Sequence, residues 1–392
     1  MKLLYVHETL GSLGGAEANV HITATELKKA GWDIGLLHRR RSGKSEAAWD
    51  SLFAPNLFCG DPAAALASFQ PDVLYVHKWD DLSSLETLLS SGIPAARMVH
   101  DHDIYCLRSY KYNVFNRKIC RRPASPWCVV PCLAPLKRQR GGALPFSWQS
   151  YSAKLREIET NRRFSAHFVV TQYMRHELEI NRFDPARIEI FPPVPRPAPP
   201  LTSSFSERNL LVYAGQIIRG KGVDVMLESL ARLKHPFELI VLGDGHHKPA
   251  CEKLTRKLGL QDRVRFAGFI PQDELRQYYA EASAVLIPSV WPEPIATVGL
   301  EVMRFGLPVV AFDAGGISDW LTDGENGHLV PWMDRDAFAA AVDGILGDKN
   351  RARSMGENGR IRVNRDYDFD DYITRLGRRL AELAHSGKGA RT

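Results

Sequence analysis

Two stretches of this 392-residue chain combine residue types and spacings that suit chemistry on a phosphate and a sugar. The first is Gly215-Gln216-Ile-Ile-Arg219-Gly-Lys221-Gly222, which follows an apolar run and opens a helical pattern. Such a turn offers unpaired backbone N–H groups, the positive end of a helix dipole and an ammonium group, which together suit a diphosphate. The spacing is not that of a Walker loop, and no Gly-x-Gly-x-x-Gly occupies the first strand-to-helix turn. Taken alone, these glycines could equally serve only the turn.

The second stretch is Ser289-Val-Trp-Pro-Glu293-Pro294-Ile295-Ala296-Thr297-Val298-Gly-Leu-Glu301. Glu293 is expected at the mouth of a helix, with Pro294 at its first position. Glu301 then lies eight residues on, about 12 Å along the axis and about 80° around it. One helix could thus serve a whole nucleotide diphosphate sugar. Glu293 would take sugar hydroxyls, the segment Ile295 to Val298 would take the phosphates through the N–H groups of Thr297 and Val298, and Glu301 would take the ribose. The plainer reading is one glutamate that favours a helix N-terminus and one that is solvated.

Both stretches need a scaffold, and the hydropathy pattern supplies one. At 44% hydrophobic and 24% charged, a chain of this length implies two globular domains rather than a disordered or fibrous polypeptide. Short apolar runs at Leu3–Val6, Ile34–Leu37, Val73–Val76 and Ala96–Val99, with a helical pattern over Ala16–Lys29, predict an α/β domain with a parallel sheet. The proline-rich stretch from Phe191 to Pro200, extended by Thr202 to Ser206, marks a boundary. Beyond it, strands at Leu210–Ala214, Glu238–Leu242, Val264–Phe266, Ala284–Ile287 and Pro308–Phe312 alternate with helices at Val223–Lys234, Pro249–Leu258, Gln272–Ala282 and Pro294–Phe305. That is a second doubly wound domain. The domains are expected at 1–195 and 205–370, with a helix over 371–392 that could pack back on the first. Ligands of such sheets bind at the carboxyl ends of the strands, where both stretches fall.

The order of these motifs, with Gly243-Asp-Gly245 between them and Gly306-Leu-Pro-Val after them, resembles family 4 of the glycosyltransferases. The resemblance covers nearly all of the second domain and reaches the first through Gly14-Gly15-Ala-Glu17 and His100-Asp101. It implies a GT-B fold, two facing Rossmann-like domains with an interdomain cleft. It further implies retaining transfer of a sugar from a nucleotide diphosphate sugar, with no cofactor required for catalysis. In such enzymes Lys221 would stabilise the leaving diphosphate, His100 would touch the transferred sugar, Glu293 would bind its hydroxyls and Glu301 the ribose. Gly14 and Gly15 would close over the donor phosphates, and Phe269 and Ile270 would border the base. The family often has arginine beside the lysine of the phosphate turn; here the residue is Gln216, which Arg219 could replace. His102 competes with His100, and Asp101 and Asp103 flank both.

Cys106, Cys120, Cys128 and Cys132 crowd into one insertion, where four thiolates could make a structural zinc site, a redox-sensitive pair, or neither. Residues 104–156 also carry eleven basic residues and no acidic one, among them Arg138 and Arg140. Tyr105, Tyr110, Tyr112, Phe115, Trp127, Phe146, Trp148 and Tyr151 lie in the same stretch. Cations among amphipathic rings suit an anionic membrane surface or a lipid-linked acceptor more than nucleic acid, for which no binding signature is present. A merely solvated basic face is the alternative. No run of about 18 apolar residues and no signal-peptide pattern is found, so a cytoplasmic protein is expected, peripheral on the inner face of the membrane if the basic face binds there.

The resulting expectation is a glycosyltransferase using a UDP- or GDP-sugar and a polysaccharide or lipid-linked acceptor, in bacterial surface polysaccharide synthesis. Its rivals are a nucleotide-sugar epimerase of the same shape, for which no acid/base set is evident, and a silent nucleotide-sugar or membrane-binding module, which only Gln216 favours.

Overall fold

The structure is a computed structural model, and it describes all residues except 12–13, 59, 114, 139–145, 197–205, 207, 272–273 and 390–392. The latter half of the proline-rich boundary, Arg140 and the expected helix start at Gln272 lie outside the described residues. The chain forms two compact units. Met1–Lys111, Arg121–Pro193 and Phe369–Thr392 make the first, and Tyr112–Cys120 with Val194–Asp368 make the second. The division falls near residue 194, and the second unit also takes a nine-residue piece from inside the basic insertion.

The first unit is built on seven parallel strands: β1 (Lys2–Val6), β2 (Asp33–His38), β3 (Asn56–Phe58), β4 (Val73–Val76), β5 (Ala95–Val99), β6 (Ala166–Val169) and β7 (Ile188–Ile190). Their order is β7-β6-β5-β4-β1-β2-β3, so β1, β4 and β5 run side by side at the centre. Every residue of β4 and β5 is buried, as continuous apolar runs covered on both faces require. Helix α1 (Gly15–Lys29) starts after β1, with Gly14 as its N-cap. The last helix of the chain, here α4 (Phe369–Gly389), belongs to this unit: the Tyr372 hydroxyl accepts a hydrogen bond from Asn19 at 2.9 Å, and Arg379 pairs with Glu189 at 2.7 Å.

The second unit has six parallel strands: β8 (Leu210–Ala214), β9 (Glu238–Leu242), β10 (Val264–Gly268), β11 (Ala284–Ile287), β12 (Val309–Phe312) and β13 (Gly327–Val330). Their order is β10-β9-β8-β11-β12-β13. Sequence order reverses on either side of β8, and the loops after β8, β9 and β11 meet at that switch point. Helix α2 (Val223–Leu230) follows the phosphate-like turn and ends four residues earlier than its apolar pattern predicts.

One expectation fails here with consequences for the site. The helix predicted from Pro294 begins only at Thr297, as α3 (Thr297–Met303), because Ala296 adopts a left-handed conformation with φ 57°. Glu293 is not on that helix. Its N–H donates to the Ala314 carbonyl and its own carbonyl accepts from Gly316, so it forms an isolated bridge with Gly315. The regular 12 Å offset between Glu293 and Glu301 along one axis therefore does not exist.

Candidate functional site

Backbone hydrogen bonds knit the loops after β8, β9 and β11 into one surface. Ile217 N–H donates to the Asp244 carbonyl at 2.8 Å, and Val290 and Trp291 N–H both donate to the Gly220 carbonyl, at 2.9 and 3.1 Å. Gly222 has φ 69°, and a Cβ there would stand 1.9 Å from the Pro288 carbonyl oxygen. No other residue fits that corner. The short 3-10 turn Arg219–Lys221 is thus fixed where α2 begins, and it presents Lys221 towards Glu293.

Lys221 Nζ lies 2.7 Å from Glu293 Oε1 and 5.4 Å from the centroid of the Trp291 ring. The same carboxylate oxygen accepts from Trp291 Nε1 at 2.7 Å and from the Ser289 hydroxyl. Glu293 is only 2% exposed, and three donors on one oxygen hold its buried charge. The lysine keeps partial access to solvent. The arrangement is a cation held in reserve by a carboxylate: an anionic ligand could draw the ammonium away while Ser289 and Trp291 still hold Glu293. Neither Ser289 nor Trp291 was singled out from the sequence, although both lie within four residues of Glu293.

Glu301 sits in α3, and burial without an offsetting charge raises its carboxyl to about 7. Thr297 is exposed and Val298 half-buried, and as first-turn residues their N–H groups have no partner four residues back in the helix. Ile295 and Ala296 are buried, and the Ile295 backbone carbonyl accepts from Trp320 Nε1 at 2.6 Å, which ties the segment before the helix to Trp320. Gly215 and Gln216 are exposed at the turn, where the Gln216 carbonyl accepts from the Tyr213 hydroxyl at 2.7 Å. Arg219 is also exposed, and its Nη2 lies 3.5 Å from the Phe115 carbonyl. Phe269, just past β10, is 78% exposed and Ile270 half-buried.

In the first unit a second group of polar residues is set by one regularity: the first residue past β1, β4 and β5 is a histidine each time, His7, His77 and His100. His77 Nδ1 is 2.8 Å from His100 Nε2, and His7 Nε2 is 3.2 Å from Glu17 Oε1. Burial takes the His100 imidazole down to about 3, and His77 well below its ordinary value, so both are neutral near pH 7. One ring then donates and the other accepts. Lys78 pairs with Asp101 at 2.6 Å. Burial and the Asp101 charge push the Asp103 carboxyl up to about 7. His102 is completely buried with Nδ1 2.6 Å from the Tyr105 hydroxyl, which makes it a core residue, whereas His100 keeps some exposure. Gly15 opens α1 on open space, and Glu17 in its first turn is the buried partner of His7.

Among the described residues no group of three or more His, Cys, Asp or Glu is placed to hold a metal, Cys106, Cys120, Cys128 and Cys132 included. The basic insertion divides. Lys111 is buried against Glu177 at 2.7 Å, Arg117 pairs with Asp224, Arg108 bonds the Cys132 and Leu133 carbonyls, and Lys154 pairs with Glu157. Tyr105 and Tyr112 are buried as well. What remains outside among the described residues mixes the exposed cations Lys118, Arg121, Arg122 and Arg156 with apolar and aromatic side chains: Tyr110, Phe115, Trp127, Val130, Leu133, Leu136, Trp148 and Leu155 are all at least 40% exposed. Arg122 stacks over Trp127 with its guanidinium 4.2 Å from the ring centroid.

With this geometry in hand, the likeness to known proteins is informative. Residues 201–362 match the model of the family described as "Glycosyl transferases group 1". The lipopolysaccharide core biosynthesis glycosyltransferase LpsE of Rhizobium meliloti is 37% identical over 150 residues, 38% of this chain and 43% of that protein. A GDP-mannose-dependent alpha-(1-6)-phosphatidylinositol monomannoside mannosyltransferase of Mycolicibacterium smegmatis is 30% identical over 197 residues, 48% of this chain and 50% of that protein. The aligned stretches thus span half or less of these relatives. Among solved structures, Anabaena HepE in complex with UDP and glucose superposes with a TM-score of 0.71 at 16% identity, covering 97% of this chain and all of that one. WaaG, a glycosyltransferase of lipopolysaccharide biosynthesis, superposes with a TM-score of 0.67 at 16% identity, covering 96% and 98%. At such identities the likeness is one of fold, and the fold is GT-B.

Proposed function

We propose that the chain, whose residues 201–362 match the model of the family described as "Glycosyl transferases group 1", transfers a sugar, with retention, from a nucleotide diphosphate sugar to a polysaccharide or lipid-linked acceptor. The observation that carries this reading is the Lys221–Glu293 pair at the switch point of the second sheet. Lys221 leaves Glu293 for the diphosphate and stabilises the charge that develops on it as the sugar departs, where a preorganised cation has its greatest effect. The turn amides and those of Thr297 and Val298 take the phosphate oxygens. Glu293, still oriented by Ser289 and Trp291, accepts hydrogen bonds from the sugar hydroxyls, and Glu301 accepts them from the ribose. Phe269 and Ile270 border the base, and Gly14 and Gly15 approach the phosphates. His100 is neutral at pH 7, so it serves the transferred sugar as a hydrogen-bonding group whose ring His77 orients, not as a cation. No metal is required by these roles.

The relatives include enzymes named for lipopolysaccharide core and phosphatidylinositol mannoside synthesis, which supports an acceptor at the bacterial envelope. Among the described residues no helix is long and apolar enough to cross a membrane. The exposed rings and basic residues of 104–156 support binding to the surface of an anionic bilayer instead. Replacing both Trp127 and Trp148 by alanine is expected to weaken binding to phosphatidylglycerol-containing liposomes roughly tenfold or more in a flotation assay. Unchanged flotation would mean that the face is merely solvated.

Thermal shift and donor hydrolysis against UDP-, GDP- and ADP-sugars, with Glu293→Ala alongside, test the main reading. A shift selective for one donor, with slow hydrolysis that Glu293→Ala abolishes, supports a transferase. Sugar interconversion without an acceptor would indicate an epimerase, and binding without turnover on any acceptor a silent module.

A further inference from the structure

The nine residues Tyr112–Cys120 come from the basic insertion, yet they belong to the second unit. Hydrogen bonds among their described residues close a small hairpin. Tyr112 and Ile119 make an antiparallel bridge, Asn113 N–H donates to the Lys118 carbonyl at 2.9 Å, and the Asn113 side chain accepts from the N–H groups of Phe115 and Asn116. The base is pinned in the first unit, where Lys111 Nζ, paired with Glu177, donates to the Arg122 carbonyl at 2.6 Å. Arg117, at the far end, is held at φ 61°, a left-handed conformation that disfavours any side chain. Such a conformation persists only where the surroundings determine it.

The Arg117 N–H closes the turn onto the Asn113 carbonyl at 2.8 Å, and its side chain reaches Asp224. The Arg117 guanidinium forks onto that carboxylate, with Nη1 3.2 Å from Oδ1 and Nη2 2.5 Å from Oδ2, across 107 residues of sequence. Arg117 is 8% exposed. Asp224 is the second residue of α2, immediately beyond the Gly215–Gly222 turn. Burial acts to raise its carboxyl, but Arg117 overrides this and leaves it below the ordinary carboxylate range. His247, after the Gly243-Asp-Gly245 loop, stands 3.5 Å from the same carboxylate. Two further contacts fall on the turn itself: the Phe115 carbonyl lies 3.5 Å from Arg219 Nη2, and the Tyr112 hydroxyl lies 3.5 Å from where a Cβ on Gly220 would be. The hairpin therefore approaches the turn at Arg219 and Gly220 and binds the helix beyond it at Asp224, on both sides of Lys221.

We propose that the hairpin Tyr112–Cys120 is a working part of the donor site: it clamps the phosphate turn, and Arg117 is the positioning residue that neutralises Asp224 beside the incoming diphosphate. This rests on the nucleotide-sugar reading above. A bare carboxylate in the first turn of α2 would repel a diphosphate at close range, and an unclamped turn would have to be ordered by the ligand at its own cost. Arg117 itself touches no donor atom; it acts through Asp224 and the turn.

The test uses the full chain and its Arg117→Ala and Arg117→Lys variants. Affinity for UDP and GDP is measured calorimetrically at 10 °C, where marginal variants remain folded, with KM, kcat, melting temperature and amide hydrogen exchange over residues 215–222. Arg117→Ala is expected to weaken nucleotide binding roughly tenfold and to raise KM by a similar factor with kcat changed less, and to speed exchange at the turn. Arg117→Lys keeps the charge without the fork and should fall between. A lower melting temperature with unchanged nucleotide affinity and KM would make the hairpin a structural fastening only and overturn the proposal. If the unaltered chain binds neither nucleotide, the donor reading fails and the role of the hairpin falls with it; binding that Arg117→Ala does not alter overturns the hairpin alone.

Discussion

Lys221→Ala is expected to lower kcat by roughly a hundred- to a thousandfold, the loss typical of one preorganised group facing charge in the transition state. The ground-state cost should be smaller, because the turn amides still meet the diphosphate. Glu293 keeps Ser289 and Trp291 as donors but loses its counter-charge at 2% exposure. Stability should therefore fall by about 2 kcal/mol. The two effects are separable: steady-state kinetics on the donor chosen by the nucleotide-sugar screen reports the first, and urea unfolding of the empty protein reports the second. A kcat within threefold of the unaltered enzyme would remove Lys221 from the mechanism whatever happened to stability.

Glu301→Gln is expected to move stability and affinity in opposite directions. The carboxyl titrates near 4.5 in the unfolded chain and at about 7 in the folded one. Below pH 4.5 both states hold the proton and no penalty arises. Between pH 4.5 and 7 the unfolded state ionises first and stability is lost; above 7 the loss is complete, on the order of 3 kcal/mol. The amide never ionises, so the variant should melt about 5 °C higher at pH 8 and no differently at pH 4. If the carboxylate accepts hydrogen bonds from ribose, the variant should bind the nucleotide ten- to a hundredfold more weakly at pH 8. Donor affinity of the unaltered protein should also rise with pH through 7, as ligand binding draws off the proton. Affinity independent of both pH and the substitution would place Glu301 outside the site.

Four strands, Val73–Val76, Leu210–Ala214, Glu238–Leu242 and Ala284–Ile287, have the same ends in the sequence pattern and in the structure. Each is a short, almost wholly apolar run bounded by polar or turn residues, the pattern that a strand buried on both faces must have. Lys221 and Glu293 were legible as candidates because each lies beside a glycine or proline that marks a turn. Their direct pairing was not, since no local rule brings residues 72 apart together. The helix start at Pro294 was misjudged because proline suits both a first helical turn and an extended corner. Ala296 at φ 57° selects the second, and nothing in an alanine announces that. The histidines after β1, β4 and β5 each follow an apolar run legible in the sequence, but only the strand order shows that the three runs lie side by side. Arg117 looked like one more member of a basic run, and its burial depends on a partner 107 residues away.

The interleaving of the two units sets an order for biosynthesis. The hairpin Tyr112–Cys120 leaves the ribosome before any of the sheet it docks on exists, and Arg117 must wait for Asp224, at ~5–20 residues per second a delay of several seconds or more. Until then its exposed Phe115 and unpaired guanidinium are available to other partners. The first unit waits longer still, since α4 closes over Asn19 only after the whole second unit has been made. The second unit is thus complete in sequence at residue 368 while the first still lacks its last helix, and a nascent chain stalled between residues 330 and 369 would carry every strand of the second sheet and a first unit without α4.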